Sequence, residues 1–175
     1  MKEIKTMDKR KQAEAEIEEM EQYVTFTIGN EVYGVEVLKV QEIIGMTQIT
    51  HMPNSMRFMK GVINLRGSVV PVVDMRLKLE MEEQEYTKFT VILIIEVKGT
   101  LVGIIVDAVS DVVGLPLSSI QETPHFSANI DTDYIKGIAK KAEQLIIVLD
   151  VDKILSSEEL ERLDKSRDEN LAVKN

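Results

Sequence analysis

The chain has no cysteine and no tryptophan, only two histidines and four prolines, and few aromatic residues, 5% of the total. Without cysteine there is no disulfide framework, no thiolate zinc site and no cysteine nucleophile. The histidines, His51 beside Met52-Pro53 and His125 beside Pro124-Phe126, both sit in turn-like sequence. They are poor material for a metal site or a general base, which needs an oriented partner. Bases are in the minority as well, 21 Lys and Arg against 30 Asp and Glu, for a formal net charge of −9. Binding nucleic acid requires clustered cations, so that role is disfavoured, as is docking on an anionic membrane. Long apolar runs are missing: Val91 to Ile95 and Leu145 to Leu149 are strand length, against the ~20 residues of a spanning helix. Residues 1–21 have no apolar h-region and do not read as a secretory signal. Nucleophile elbow, Walker loop and dinucleotide fingerprint are all missing. These absences predict a cytoplasmic protein with no catalytic residue, no metal and no cofactor.

What is present divides into three zones. Residues 1–21 carry five bases and seven acids with few apolar residues and read as a charged tail. Residues 22–155 hold nearly all the β-branched residues. Residues 156–175 open with Ser156-Ser157-Glu158-Glu159, a capping box in which Glu159 reaches back to Ser156, followed by Leu160 and Leu163 at helical spacing.

The middle zone reads as short strands. Gln22 to Ile28 alternates, turns at Gly29-Asn30-Glu31 and resumes at Val32, a hairpin offering Tyr23 and Phe26 for cross-strand contacts. Val37, Val40, Gln41 and Ile44 suggest a helical or irregular passage. Further strands are expected at 61–65, 68–74 (with Pro71 tolerable at an edge or bulge), 89–97, 101–113 and 144–151. Glu80 to Lys88 reads as an acidic linker and Pro116 to Tyr134 as a long loop. The fold class is therefore mainly β, small antiparallel barrels with a short C-terminal α-helix.

A few residues stand out. Asp107 and Asp111 are spaced acids flanking an apolar strand, the only material for a paired-carboxylate enzyme. Gly61, Asn64 and Gly67 suit a structural turn. Arg66 inside that stretch is not a turn requirement; a guanidinium there seeks a carboxylate, with Glu42, Asp74 or a partner protein as choices. Phe126 is either a loop anchor or an interface hot spot.

Three blocks carry a resemblance. Glu31-Val-Tyr-Gly-Val-Glu-Val-Leu-Lys-Val-Gln-Glu-Ile43, Lys60-Gly-Val-Ile-Asn-Leu-Arg-Gly-Ser-Val-Val-Pro-Val-Val-Asp-Met-Arg76 and Val102-Gly-Ile-Ile-Val-Asp-Ala-Val-Ser-Asp-Val112 resemble, in order and spacing, the signatures of the CheW family of bacterial chemotaxis coupling proteins. Related domains form the regulatory end of the CheA histidine kinase and one half of CheV-type proteins. The resemblance implies two five-stranded SH3-like barrels on a shared core, approximately 22–82 and 86–151, with possible strand exchange between them. It implies an adaptor and no catalysis. Its partners would be the CheA regulatory domain and the cytoplasmic tips of methyl-accepting chemoreceptors, with recruitment to membrane-bound arrays but no direct membrane insertion. Val40 and Arg66 match receptor-binding positions, with Glu42 placed to orient Arg66; Glu31 and Phe126 match kinase-binding positions. The alternatives are a regulatory module of another two-component pathway, or a small enzyme using Asp107 and Asp111.

Overall fold

The computed structural model describes residues 19–53, 55–122 and 133–173, with side chains through residue 165. The segments 1–18 and 123–132, the latter with His125 and Phe126, lie outside the described residues. Among the described residues, ten strands form two five-stranded sheets. The first hairpin forms as its alternation predicts: β1 (Met20–Ile28) pairs with β2 (Glu31–Glu36), Phe26 opposite Tyr33 with ring centroids 6.1 Å apart. A single 3₁₀ turn, Val37–Lys39, then carries the chain out of that sheet and into β3 (Val40–Gly45). The helical spacing of Val37 to Ile44 thus describes only one turn; from Val40 the backbone is a strand with alternating burial.

In the same sheet as β3 lie β4 (Met59–Leu65) and β5 (Ser68–Asp74), a hairpin closed at Arg66-Gly67. β6 (Val91–Val97) and β7 (Thr100–Val106) form the next hairpin. The chain returns to the first sheet through β8 (Ala108–Pro116), β9 (Ile135–Lys141) and β10 (Gln144–Leu149). The orders are β8-β1-β2-β10-β9 and β3-β6-β7-β5-β4.

Position by position these orders are equivalent. Each sheet holds three antiparallel pairs and one parallel pair, β2 with β10 in the first and β7 with β5 in the second. The sheets are not closed barrels, and they are not purely antiparallel as expected. Among the described residues, backbone pairing between their edges is limited to isolated bridges, Thr50 to Val62 in one and Gln121 to Ile138 in the other. Strands are exchanged between the 22–82 and 86–151 segments, the possibility the resemblance left open: each sheet takes a hairpin from one segment and three strands from the other. Pro71 lies in an interior strand, tolerated because the ladder with β7 starts one residue later, at Val72. Gly61, expected in a turn, is inside β4. Its φ of +146° and its approach to Thr50, whose carbonyl oxygen would lie 2.1 Å from an added Cβ, explain the glycine instead.

Two short helices repeat the same logic. α1 (Met75–Lys78) follows β5 and is capped by Asp74; α2 (Val151–Ile154) follows β10 and is capped by Asp150. The carboxy-terminal α3 (Ser157–Val173) is longer than expected. It starts at the predicted capping box, Ser156 Oγ accepting from Glu159 N–H at 3.0 Å and Glu159 Oε1 from Ser156 N–H at 2.9 Å. Leu155, Leu160 and Leu163 are buried beneath it. One apolar cluster joins the sheets, with Val24, Phe26 and Val35 of the first packed among Val73, Leu93, Ile95 and Ile104 of the second. Burial at ~25 cal/mol per Å² makes that shared interior the main source of cohesion.

Candidate functional site: the seam of the second sheet

β3 and β4 are opposite edges of the second sheet, yet a side-chain pair crosses from β3 to the β4–β5 turn. Arg66 Nη1 and Nη2 donate to Glu42 Oε1 and Oε2 at 2.9 and 2.8 Å, a bidentate fork on a planar carboxylate. Of the two intramolecular partners open to Arg66, Glu42 is the one used. Asp74 is buried in a separate cavity. The pair is wet on the arginine side: the Arg66 side chain is 72% exposed and that of Glu42 32%. The hydrogen bond from Arg66 holds the Glu42 carboxyl below its usual range, its charge assisting and slight burial opposing. Arg66 also sits at φ +51°, and Gly67 at +89°, the left-handed geometry of a tight hairpin turn. Asn64 Oδ1 accepts from Gly67 N–H at 2.8 Å and fixes that turn. A non-glycine residue in this region costs energy, so the arginine is held in an unfavourable backbone pose while its head group reaches solvent.

Val40 is half-buried at the start of β3, opposite Ile95, and packs on the shared core. A bulge at Gln41 separates it from Glu42, which pairs with Ile94. Around them lie two exposed apolar side chains that the sequence reading did not single out as site residues, Leu38 and Ile43. Ile43 was legible as part of an apolar stripe. Leu38 was not, because nothing in its neighbours marks the 3₁₀ turn that pushes it outward.

In the first sheet, Glu31 is exposed at the start of β2, opposite Ile28. Burial pushes the Tyr33 hydroxyl up, and the Glu31 charge adds to it. The structure brings Glu42 and Arg66 together with Val40 nearby on the same strand, and it places Glu31 on the other sheet. Phe126 lies outside the described residues.

The acids weighed for catalysis are otherwise engaged. Asp107 accepts Arg76 Nε at 2.9 Å and Nη2 at 2.6 Å, and also Gly29 N–H at 2.7 Å. Asp111 is exposed and accepts from the following backbone N–H. A cavity of about 180 Å³ is lined by Asp74, Arg76, Tyr86 and Asp107, without Asp111. Within it the buried Asp74 accepts from Tyr86 Oη at 2.9 Å. Burial, and then the Asp74 charge, push the Tyr86 hydroxyl up. His51 is exposed. Among the described residues no group of three or more His, Asp or Glu is placed to hold a metal ion, and no helix is long and apolar enough to cross a membrane.

Residues 22–159 match the model of the CheW-like domain. The chain is 41% identical to the chemotaxis protein CheW of Klebsiella aerogenes, over 82% of this chain and 87% of that one. It is 30% identical to the chemotaxis protein CheW of Treponema pallidum, over 90% and 95%. Among solved structures it is similar to the scaffolding protein TtCheW of Thermoanaerobacter tengcongensis, with a TM-score of 0.72 and 32% identity over 79% of this chain and 90% of that one.

Proposed function

The chain belongs to the CheW-like family, and on that premise we propose that it is a chemotaxis coupling protein bridging a CheA-type histidine kinase regulatory domain and the cytoplasmic tips of chemoreceptors. The observation that carries the reading is the Arg66–Glu42 fork at the seam of the second sheet, an exposed arginine oriented by an internal carboxylate beside Val40. A receptor tip is a helical hairpin. Its apolar stripe would lie against Val40 and the exposed Leu38 and Ile43, as a helix in a groove does, and Arg66 would set its register through a charge. The kinase domain would dock on the first sheet, where Glu31 is exposed, and on the segment carrying Phe126. No bond is made or broken in this reading. The protein changes kinase activity by fixing the geometry of an assembly, a coupling free energy between two binding events. Its place of work would be the cytoplasm, at membrane-bound receptor arrays.

The test is a pull-down of a receptor-tip fragment and of a kinase regulatory domain. Arg66→Ala is expected to lose the receptor fragment and keep the kinase domain, and Phe126→Ala the reverse, with circular dichroism unchanged in both. Failure of the wild-type chain to retain either partner would overturn the assignment.

A further inference from the structure

The chain passes between the sheets at two places, and each crossover carries a three-part clasp. At the second crossover, between β7 and β8, Asp107 binds Arg76 of α1 and accepts the Gly29 N–H of the β1–β2 turn. At the first, between β2 and β3, Lys39 binds Asp152 of α2 at 3.5 Å, and Asp152 accepts the Lys98 N–H of the β6–β7 turn at 3.2 Å. The equivalence of the two sheet orders puts α1 opposite α2 and the Gly29 turn opposite the Lys98 turn, both with left-handed φ, +63° and +49°. The clasps therefore occupy matching positions with their charges inverted: acid on the crossover and base on the helix in one, base on the crossover and acid on the helix in the other.

They are not equally strong. Arg76–Asp107 is bidentate, short and sheltered, with side chains 14% and 30% exposed. Lys39–Asp152 is a single long contact, with side chains 38% and 44% exposed. Sheltered forks hold geometry, whereas exposed single contacts contribute little and are screened by salt. Lys39 is also the residue immediately before Val40.

We infer that the crossovers form an asymmetric joint between the sheets, in which Arg76–Asp107 is the fixed pivot and Lys39–Asp152 the releasable clasp through which occupancy at Val40 alters the relative setting of the sheets. The inference deepens the proposed function, since it names the positioning residues that would connect a ligand on the second sheet to a partner on the first. Its physical content holds without any partner.

The absence of cysteine allows clean labelling. Spin labels at Lys88→Cys, just before β6, and Lys140→Cys, on β9, report the distance between the sheets in the full chain. Both positions are exposed. Wild type is expected to give one narrow distance population at low salt. Asp152→Asn and Lys39→Ala should broaden it with an unchanged melting temperature, as should 1 M salt on the wild type. Arg76→Lys, which keeps the charge but loses the fork, should broaden it and lower the melting temperature together. Asp107→Asn should do the same, and Arg76→Lys keeps the test open if Asp107→Asn does not fold. A receptor-tip fragment added to wild type should shift the population toward that of Asp152→Asn. Distances that ignore Asp152→Asn, Lys39→Ala and salt alike would overturn the joint. A distance that responds to them, with a fragment that never binds, would overturn the functional reading and leave the joint standing.

Discussion

Arg66 shows how much a single position can be asked to do. Its backbone is left-handed, its guanidinium is mostly in solvent, and its only described partner is Glu42. Because the fork lowers the Glu42 carboxyl, Arg66→Ala should return the Glu42 titration upward to the ordinary glutamate range, read by NMR of the side-chain carboxyl. Global stability should be little changed, since the pair is exposed. Tyr86 is the converse case, a residue whose worth is internal. Its hydroxyl donates to the buried Asp74, which also caps α1 through Arg76 N–H. Tyr86→Phe leaves one buried carboxylate oxygen without its donor and should cost about 1–3 kcal/mol, measured as a lower urea midpoint at neutral pH. The acidic stretch Glu80 to Lys88 is therefore no free linker. It is pinned at Tyr86, and again where Lys60 pairs with Glu83, contacts that composition does not reveal.

Among the elements, α3 was the most legible. Ser156 and Glu159 announce its start, and the leucines at helical spacing announce its buried face. What the sequence did not announce is that Glu159 also accepts two hydrogen bonds from Lys78, at 2.9 Å each, tying α3 to α1. Burial raises the Glu159 carboxyl, but the bonds from Lys78 and Ser156 outweigh it and the net value falls below the ordinary one. A depressed carboxyl contributes stability above its unfolded value of about 4.3, and that contribution is lost as pH falls through the folded value. Glu159→Gln should therefore be less stable than wild type near neutrality, with the difference shrinking below about pH 4, followed by thermal melts across pH. β9 was the least legible strand. Lys136, Lys140 and Lys141 interrupt its apolar residues, so no clean alternation marks it, although its hairpin partner β10 begins at Gln144 and pairs directly with Lys141. β3 was obscured differently: Val-Gln-Glu-Ile-Ile-Gly does not alternate apolar with polar residues although its burial alternates, and a bulge falls at Gln41.

At the level of the molecule, strand content and turn positions were readable because they are local, and the distribution of strands between sheets was not, because pairing partners lie far apart in sequence. β1 and β2 complete a sheet otherwise made of β8, β9 and β10, and β6 and β7 complete one made of β3, β4 and β5. The core is shared in the same way. Residues 1–85 and 86–175 expressed separately should then show little sheet signal by circular dichroism, while the whole chain should melt in one transition seen identically by probes in either sheet. Two independent melts, or a folded fragment, would contradict this architecture.

The reciprocal placing of hairpins has one more consequence. The pairings that β1–β2 makes inside its own molecule are equally available from a second copy, and the only covalent restraint on that choice is the short passage Val37–Lys39. Refolding from denaturant at high concentration is where an interlocked dimer would accumulate, and replacing Lys39 with proline to stiffen the passage would raise its yield on size-exclusion chromatography.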